Sequence, residues 1–223
     1  MVDALFIYDP LFIINYLLPL HPQKRYTMVL PIIAYGDPVL RKVGVEITPD
    51  YPNLKALIAN MYDTMEASNG VGLAAPQVGL AIRLFVVDAA PFADDEDLSK
   101  EERDFLLGFK QTFINAQMIE EVGEEWLFNE GCLSIPGVRE DVSRRPKITI
   151  SYLDENFHPQ TLTVDGLVAR IIQHEYDHIQ GVLFTDKLSS FKKQLIKNKL
   201  TNISKGKVKV AYRMKFPDAP KRR

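Results

Sequence analysis

Residues 173–178 read Gln-His-Glu-Tyr-Asp-His, and the His-Glu-x-x-His spacing within them is the feature that most constrains the fold. Positions four apart lie on one face of an α-helix, about one turn and roughly 6 Å from each other. On a helix, His174 and His178 can therefore hold one metal ion, with Glu175 close enough to transfer protons beside it. The alternative is a surface helix that carries two histidines without a metal. With only four histidines in the chain, a chance match to this spacing is rare.

The composition predicts a globular protein with one domain, or one domain with additions. The chain has 223 residues, of which 46% are hydrophobic and 25% charged, as in ordinary water-soluble proteins. Its single cysteine, Cys132, excludes an intramolecular disulfide, which favours a reducing, cytoplasmic location. The apolar stretch at residues 11–20 is too short to span a bilayer, so we expect no transmembrane segment.

Charge is distributed unevenly along the chain. Residues 186–223 contain 13 Lys or Arg against two Asp, a balance of +11, although the whole chain carries −2. A basic end on an acidic body favours a polyanionic partner, such as RNA or a membrane surface. The alternative is a solvated helix followed by a frayed terminus.

Composition also suggests how the chain is divided. We interpret residues 1–27 as an N-terminal extension of doubtful order or a mis-assigned start. The reason is that Met28 begins the segment Met-Val-Leu-Pro-Ile-Ile, which reads like the natural start of the domain. Residues 28–207 form the predicted metal-binding domain. Within it, residues 91–110 are acidic and are predicted to be an exposed insertion, and residues 208–223 form a basic C-terminal tail.

Hydrophobic periodicity predicts helices and short strands without regular alternation. A helix is expected over residues 51–68, N-capped by Asp50, another from Asp165 to Gly181, and a basic amphipathic one over about residues 189–203. Strands are expected at residues 83–88, 112–121, 147–152 and 161–164, the last two as a hairpin. This mixture predicts an α+β fold, with antiparallel sheets packed around a central metal-binding His-Glu-x-x-His (HExxH) helix and a basic C-terminal helix.

Two histidines leave a metal short of ligands, and Cys132 is the best remaining candidate. Zincin peptidases commonly take a Glu or a third His downstream, but this chain has neither after His178. A thiolate with two imidazoles leaves one position open for water, as in catalytic sites. The alternative for Cys132 is a small buried apolar side chain.

Three segments together resemble the peptide deformylases, most closely their type 1 branch. Residues 70–77 read Gly-Val-Gly-Leu-Ala-Ala-Pro-Gln, residues 130–134 read Glu-Gly-Cys-Leu-Ser, and residues 173–178 supply Gln-His-Glu-x-Asp-His. The likeness covers roughly residues 28–207, which would make that range the catalytic domain. It implies removal of the formyl group from the N-terminal formyl-methionine of nascent polypeptides, with release of formate.

The resemblance also implies a role for each matching residue. The implied metal ligands are Cys132, His174 and His178, the general base is Glu175, and the oxyanion donors are the Gln77 amide and the Leu133 backbone N–H. Substrate-binding residues implied in the same way are Val71, Gly72, Glu130 and Arg139. Asp177 is expected to orient a ligand ring, and Arg144 to pair with Glu130. Gln77 could instead be a structural amide, Arg139 an exposed loop side chain, and Asp177 a local cap.

The metal and the partners remain open at this point. Cys/His₂ ligation suits zinc, whereas the resemblance implies Fe²⁺, with Zn²⁺, Ni²⁺ or Co²⁺ able to replace it. N-formylmethionyl nascent peptides are the implied substrates, and the basic C-terminal helix suggests ribosome contact. Two alternatives remain: a metallopeptidase, and an RNA- or ribosome-binding module with a structural metal.

Overall fold

The computed structural model of the chain describes residues 28–218. The predicted extension 1–27 and the end of the predicted tail, residues 219–223, lie outside this range. The helices are α1 (Leu54–Ala67), α2 (Lys100–Gly108), α3 (Gly166–Ile179) and α4 (Ser190–Ser204). The strands are β1 (Ile32–Ile33), β2 (Gly72–Ala74), β3 (Leu84–Asp88), β4 (Lys110–Val122), β5 (Trp126–Cys132), β6 (Ile135–Arg144), β7 (Lys147–Leu153), β8 (Pro159–Asp165) and β9 (Met214–Lys215). None of the helices in residues 28–218 is both long and apolar enough to cross a membrane.

Helix α3 packs against a five-stranded antiparallel sheet of order β2-β3-β4-β7-β8. Alternate residues of β7, Ile148 and Ile150 among them, are buried, so one face of the sheet is apolar. Val168 and Ile172 of α3 are buried in the same cluster as these strand residues. The expectation of an α+β fold with antiparallel sheets around the central HExxH helix is confirmed.

Strands β5 and β6 form a separate antiparallel hairpin that carries Cys132 at its tip. Cys132 is paired with Ile135, so only Leu133 and Ser134 form the connection, and the register shifts beside Gly131. An irregular tip of this kind turns side chains away from the regular alternation of a strand. The hairpin therefore holds Cys132 and Leu133 on a short, well-defined turn.

The end of the described chain returns to its beginning. Beyond α4, β9 pairs in parallel with β1, and Ile32 is opposite Met214. Residues 208–218 of the predicted basic tail thus lie against the rest of the protein, where β9 pairs with β1. Helix α4 lies where the sequence predicted it. It begins one residue after Ser189, whose side-chain oxygen accepts a hydrogen bond from the Lys192 N–H.

Helix α1 begins later than the sequence suggested. Its N-cap residue is Asn53, in the left-handed conformation with φ 56°, and Leu54 is the first helical residue. The prediction that Asp50 caps this helix is wrong, because the Asp50 carboxylate accepts a hydrogen bond from the Thr48 hydroxyl. Local side-chain bonding of this kind competes with helix capping.

The acidic insertion is not simply exposed. Ala93 and Leu106 within it are 2% and 4% exposed, and both belong to the cluster between α3 and the large sheet. The expectation of an exposed segment is therefore wrong for Ala93 and Leu106, whereas Phe105 and Leu107 are exposed as expected. A capping box between Ser99 and Glu102 starts α2 and directs Leu106 inward.

Neighbouring leucines of α2 provide a matched test of this packing. Leu106→Ala should lower the free energy of unfolding by about 2–5 kcal/mol, the range for deleting a buried leucine side chain. Leu107 is 57% exposed, so Leu107→Ala should change it by no more than about 0.5 kcal/mol. Chemical denaturation of both variants gives the comparison. Equal effects would show that α2 does not contribute to the core.

Candidate active site

A cleft of about 560 Å³ lies between the hairpin, α3 and the segment that leads into β2. Gly70, Val71 and Gly72 form one wall, and Cys132 and His174 lie among the residues at its base. Strand β2 is the edge of the large sheet. Its outer backbone groups can therefore pair with an extended ligand lying in the cleft.

Cys132, His174 and His178 meet at one point. One ligand atom from each lies within 4.8 Å of the others, and the Cys132 thiol is 3.3 Å from His178 Nε2. Metal–sulfur and metal–nitrogen bonds of about 2.3 and 2.0 Å at a tetrahedral angle would separate two ligand atoms by roughly 3.5 Å. The three side chains thus fit one divalent metal ion, with α3 presenting both rings one turn apart.

Glu130 orients one of the two rings. Its Oε2 accepts a hydrogen bond from Nδ1 of His174 at 2.9 Å, which leaves Nε2 of that ring for a metal. The sequence assigned such a role to Asp177, and the structure corrects this: Asp177 instead forms ion pairs with Arg144 and Lys187. Asp177 directly precedes His178 on α3. Because successive helical residues point about 100° apart, the two side chains leave the helix in different directions.

The Glu130 carboxylate is buried among cations. Arg144 donates to it twice, at 2.7 and 3.0 Å, and Arg170 once, at 3.1 Å. Burial alone would raise the pKa of Glu130, but the hydrogen bonds and charges of His174 and Arg144 outweigh it and hold that pKa well below its usual range. Glu130 therefore stays ionised beside the predicted metal site.

Glu175 has the environment of a proton carrier. It is 4% exposed, and burial raises its pKa to about 7. Its Oε2 has no hydrogen-bond partner among the described residues. A Cβ atom on Gly72 would lie only 2.5 Å from Glu175 Oε1, so glycine at this position lets the edge strand approach the carboxylate.

Gln77 directs its amide nitrogen at the cluster. Ala74 N–H donates to Gln77 Oε1 at 2.8 Å, which fixes the side chain, and Nε2 lies 3.5 Å from the Cys132 sulfur. Gln77 is 1% exposed. An N–H donor is therefore held in place next to the predicted metal ligands, with Leu133 one residue beyond Cys132 on the hairpin.

The remaining predicted residues lie around the cleft. Val71, Gly72 and Arg139 all line it. Arg139 is at the exposed rim, where its Nε donates to Asn129 Oδ1 at 2.8 Å. Glu130 also lines the cleft, but its carboxylate is bonded to protein side chains, so it orients other groups as well as shaping the wall.

Sequence reasoning missed several lining residues. Phe92 and Phe128 form an apolar part of the wall and contact each other edge to face, with ring centroids 6.5 Å apart. Val210 and Tyr212 line the cleft from the predicted tail. A signal was present for Tyr212, because apolar residues occupy every even position from 208 to 216 and Lys or Arg every odd one except Ala211, the pattern of a half-buried strand.

Comparisons with known proteins give one consistent result. A family model described as polypeptide deformylase matches residues 29–194. The peptide deformylase of Flavobacterium johnsoniae is 66% identical over 196 residues, which are 88% of this chain and 100% of that protein. The crystal structure of a peptide deformylase from Legionella pneumophila superposes with a TM-score of 0.68 at 34% identity, covering 81% of this chain and 98% of that one. A peptide deformylase structure from Plasmodium falciparum has a TM-score of 0.67 at 35% identity, covering 77% and 94%.

The histidines offer a direct test of the ligand set. His178→Ala should lose stoichiometric divalent metal, because two ligands bind far more weakly than three. His158 has a side chain 72% exposed and lies on the β7–β8 connection, so His158→Ala should retain the metal of the wild type. Elemental analysis after dialysis measures both. Full metal content in His178→Ala would exclude this residue as a ligand.

Proposed function

The chain belongs to the polypeptide deformylase family, and from this membership we propose that Cys132, His174 and His178 hold the metal of its active site. The enzyme is a metal-dependent hydrolase that removes the formyl group from the N-terminal formyl-methionine of newly synthesised polypeptides and releases formate. One observation carries the site assignment: the three ligand atoms lie within 4.8 Å of one another at the base of a cleft beside the edge strand. The proposed catalytic domain spans residues 28–207.

When bound, a divalent metal lowers the pKa of a coordinated water from about 16 towards 7, which supplies hydroxide at neutral pH. We propose Fe²⁺ as the native ion, on the family resemblance alone. A set of one thiolate and two imidazoles equally suits Zn²⁺, Ni²⁺ or Co²⁺. The exposed side of such a site leaves Cys132 open to oxidation, so the iron form should be sensitive to peroxide.

Glu175 moves the proton in the proposed mechanism. The oxygen of water attacks the formyl carbon, and Glu175 accepts one of its protons. The carbon–nitrogen bond then breaks as Glu175 delivers that proton to the leaving amine, and the formic acid product loses its remaining proton to become formate. A carboxyl whose pKa is raised to about 7 by burial can both accept and return a proton at neutral pH.

Two N–H donors stabilise the oxyanion in this proposal. The Gln77 amide is held by Ala74 and points at the cluster, and the Leu133 N–H lies on the hairpin tip beside Cys132. Preorganised donors of this kind contribute about 10²–10³ in rate each, because they need no reorganisation during the reaction.

The apolar part of the cleft is suited to the methionine side chain. Phe92, Phe128 and Ile171 line it, and sulfur–aromatic contacts favour a thioether there. The peptide beyond methionine would run antiparallel to β2, pairing with backbone groups of Val71 and Gly72, and would pass Arg139 at the rim. Nascent formylated chains are thereby bound mainly through their N-terminal methionine side chain and their peptide backbone, which they all share.

Replacing the proton carrier tests the mechanism. Glu175→Gln should lower kcat for formate release from formyl-Met-Ala-Ser by about 10²–10⁴, the usual contribution of a general base. The assay uses anaerobically purified protein loaded with Fe²⁺, with Zn²⁺-loaded protein for comparison. We expect the iron form to be the more active.

The matched control is Glu155→Gln, an exposed carboxylate on the β7–β8 connection, which should keep wild-type activity. The unformylated twin Met-Ala-Ser should remain intact, because a peptidase alone would cleave it. Wild-type protein that binds metal but releases no formate would exclude the deformylase function. Full activity in Glu175→Gln would exclude only its assigned role.

We also propose that α4 docks the enzyme at the ribosome, in the cytoplasm, where formylated chains emerge. Phe191 and Leu195 of this helix are 73% and 62% exposed and lie one turn apart. Lys197 and Lys199 are exposed on the same helix, and Lys199 lies one turn after Leu195. Apolar side chains within a basic helix face fit a ribosomal surface that combines RNA phosphates with protein.

Charge reversal on α4 tests this docking. The double variant Lys197→Glu/Lys199→Glu should weaken co-sedimentation with ribosomes roughly tenfold at moderate salt, because both cations become like charges to RNA. The double variant Lys100→Glu/Lys147→Glu changes the net charge equally on the body of the protein and should bind as the wild type. Equal loss in both would show a general charge effect and contradict docking through α4.

A further inference from the structure

The segment after α4, residues 205–218, is here called the C-terminal strap. Its even-numbered residues from 208 to 216 are all partly buried, whereas the odd-numbered ones from 207 to 215 are exposed. Alternation with period two is that of an extended chain with one face on the protein. The inward face consists of Val208, Val210, Tyr212, Met214 and Phe216.

Backbone hydrogen bonds hold the strap on both sides of Tyr212. Ile32 N–H donates to Arg213 O, and Ala34 N–H to Lys215 O, both at 2.9 Å. Towards the helix, Lys207 N–H donates to Asn202 O at 2.8 Å. The backbone on both sides of Tyr212 is therefore held by main-chain hydrogen bonds, in addition to the packing of its ring against the core.

The Tyr212 hydroxyl reaches the hairpin tip. It donates to the Leu133 carbonyl oxygen at 2.8 Å, and burial raises the pKa of Tyr212 to about 12, so the hydroxyl remains a donor at neutral pH. The next carbonyl, that of Ser134, accepts from Tyr35 N–H at 2.8 Å. Both carbonyls of the two-residue connection thus have partners from distant parts of the chain.

We propose that Tyr212 is a positioning residue for deformylation, which fixes the turn that presents the Leu133 N–H to the oxyanion. The inference rests on the oxyanion role proposed above for Leu133. The donated hydrogen bond restrains the carbonyl of Leu133, and with it the rotation of the residue whose N–H is the proposed oxyanion donor. Tyr212 lies outside residues 29–194, the range matched by the family model, so this contact is an addition to the motifs that define the family.

Removing only the hydroxyl tests the proposal. Tyr212→Phe keeps the ring and its packing, so the protein should fold and bind metal as the wild type does. The kcat for formate release should fall roughly tenfold, because a donor displaced by a fraction of an ångström stabilises the oxyanion less well. KM should change by less than about twofold, since the hydroxyl bonds to the protein and an oxyanion contact acts mainly in the transition state.

Tyr62→Phe is the matched control. The Tyr62 hydroxyl also bonds within the protein, to the Thr112 hydroxyl at 3.2 Å, but this contact joins α1 to β4 outside the cleft. Tyr62→Phe should therefore keep wild-type kcat even if its melting temperature falls as far as that of Tyr212→Phe. Faster hydrogen exchange of the Leu133 amide in Tyr212→Phe alone would show the loosened turn directly.

The outcomes separate this inference from the activity on which it rests. An active wild type with unchanged kcat in Tyr212→Phe would overturn the positioning role and leave the deformylase function standing. Equal losses of kcat in both variants would show that Tyr212 contributes only to general stability, and would contradict the positioning role. A wild type that releases no formate would instead contradict the proposed function itself.

Discussion

The buried carboxylate of Glu130 is the interaction on which the site depends. It is 4% exposed and contacts Arg144 of β6 and both Arg170 and His174 of α3. A buried charge is tolerated only when its partners surround it, and removing one partner of such a group is strongly destabilising. These contacts hold the hairpin that carries Cys132 against the helix that carries the histidines. The spacing between thiol and imidazoles therefore depends on an ion-pair network in which His174 is the one member that is also a proposed metal ligand.

A second constraint is the close approach of the sheet edge to the helix. Gly72 lies against the Glu175 carboxylate, and no side chain fits between them. A larger residue would push the edge strand away from the proposed proton carrier, and with it the backbone groups that a peptide would pair with. In the proposed mechanism, Gly72 thus links the alignment of the substrate to proton transfer by Glu175. Burial of Glu175 is also the main cause of its raised pKa.

Motif spacing predicted the parts of the site that depend on local geometry. His174 and His178 share a face of α3 because of helical periodicity, and Asp165 precedes that helix as expected. Asp177 was expected to orient one of the ligand rings because it lies between the two histidines in sequence, whereas the contact of His174 with Glu130, 44 residues away, leaves no local pattern. The burial of Leu106 was not predicted for a similar reason. The acidic composition of the segment reflects the exposed face of α2 and gives no information about the one position that packs inward. Along the strap, a high positive charge concealed the alternation that marks a half-buried strand.

The two halves of the catalytic centre are held by different means. Two of the three proposed metal ligands lie on one helix, whose hydrogen bonds and packing place both imidazoles, so they can be identified from a six-residue pattern. The proposed oxyanion side includes a two-residue turn, and such a turn has little stiffness of its own. Its carbonyls are bonded to Tyr35 and Tyr212, from opposite ends of the described chain. Because loop conformation follows from these distant contacts, variation in the strap can change donor alignment while every motif residue stays the same. Enzymes with identical metal ligands can therefore differ in rate through residues that touch neither metal nor substrate.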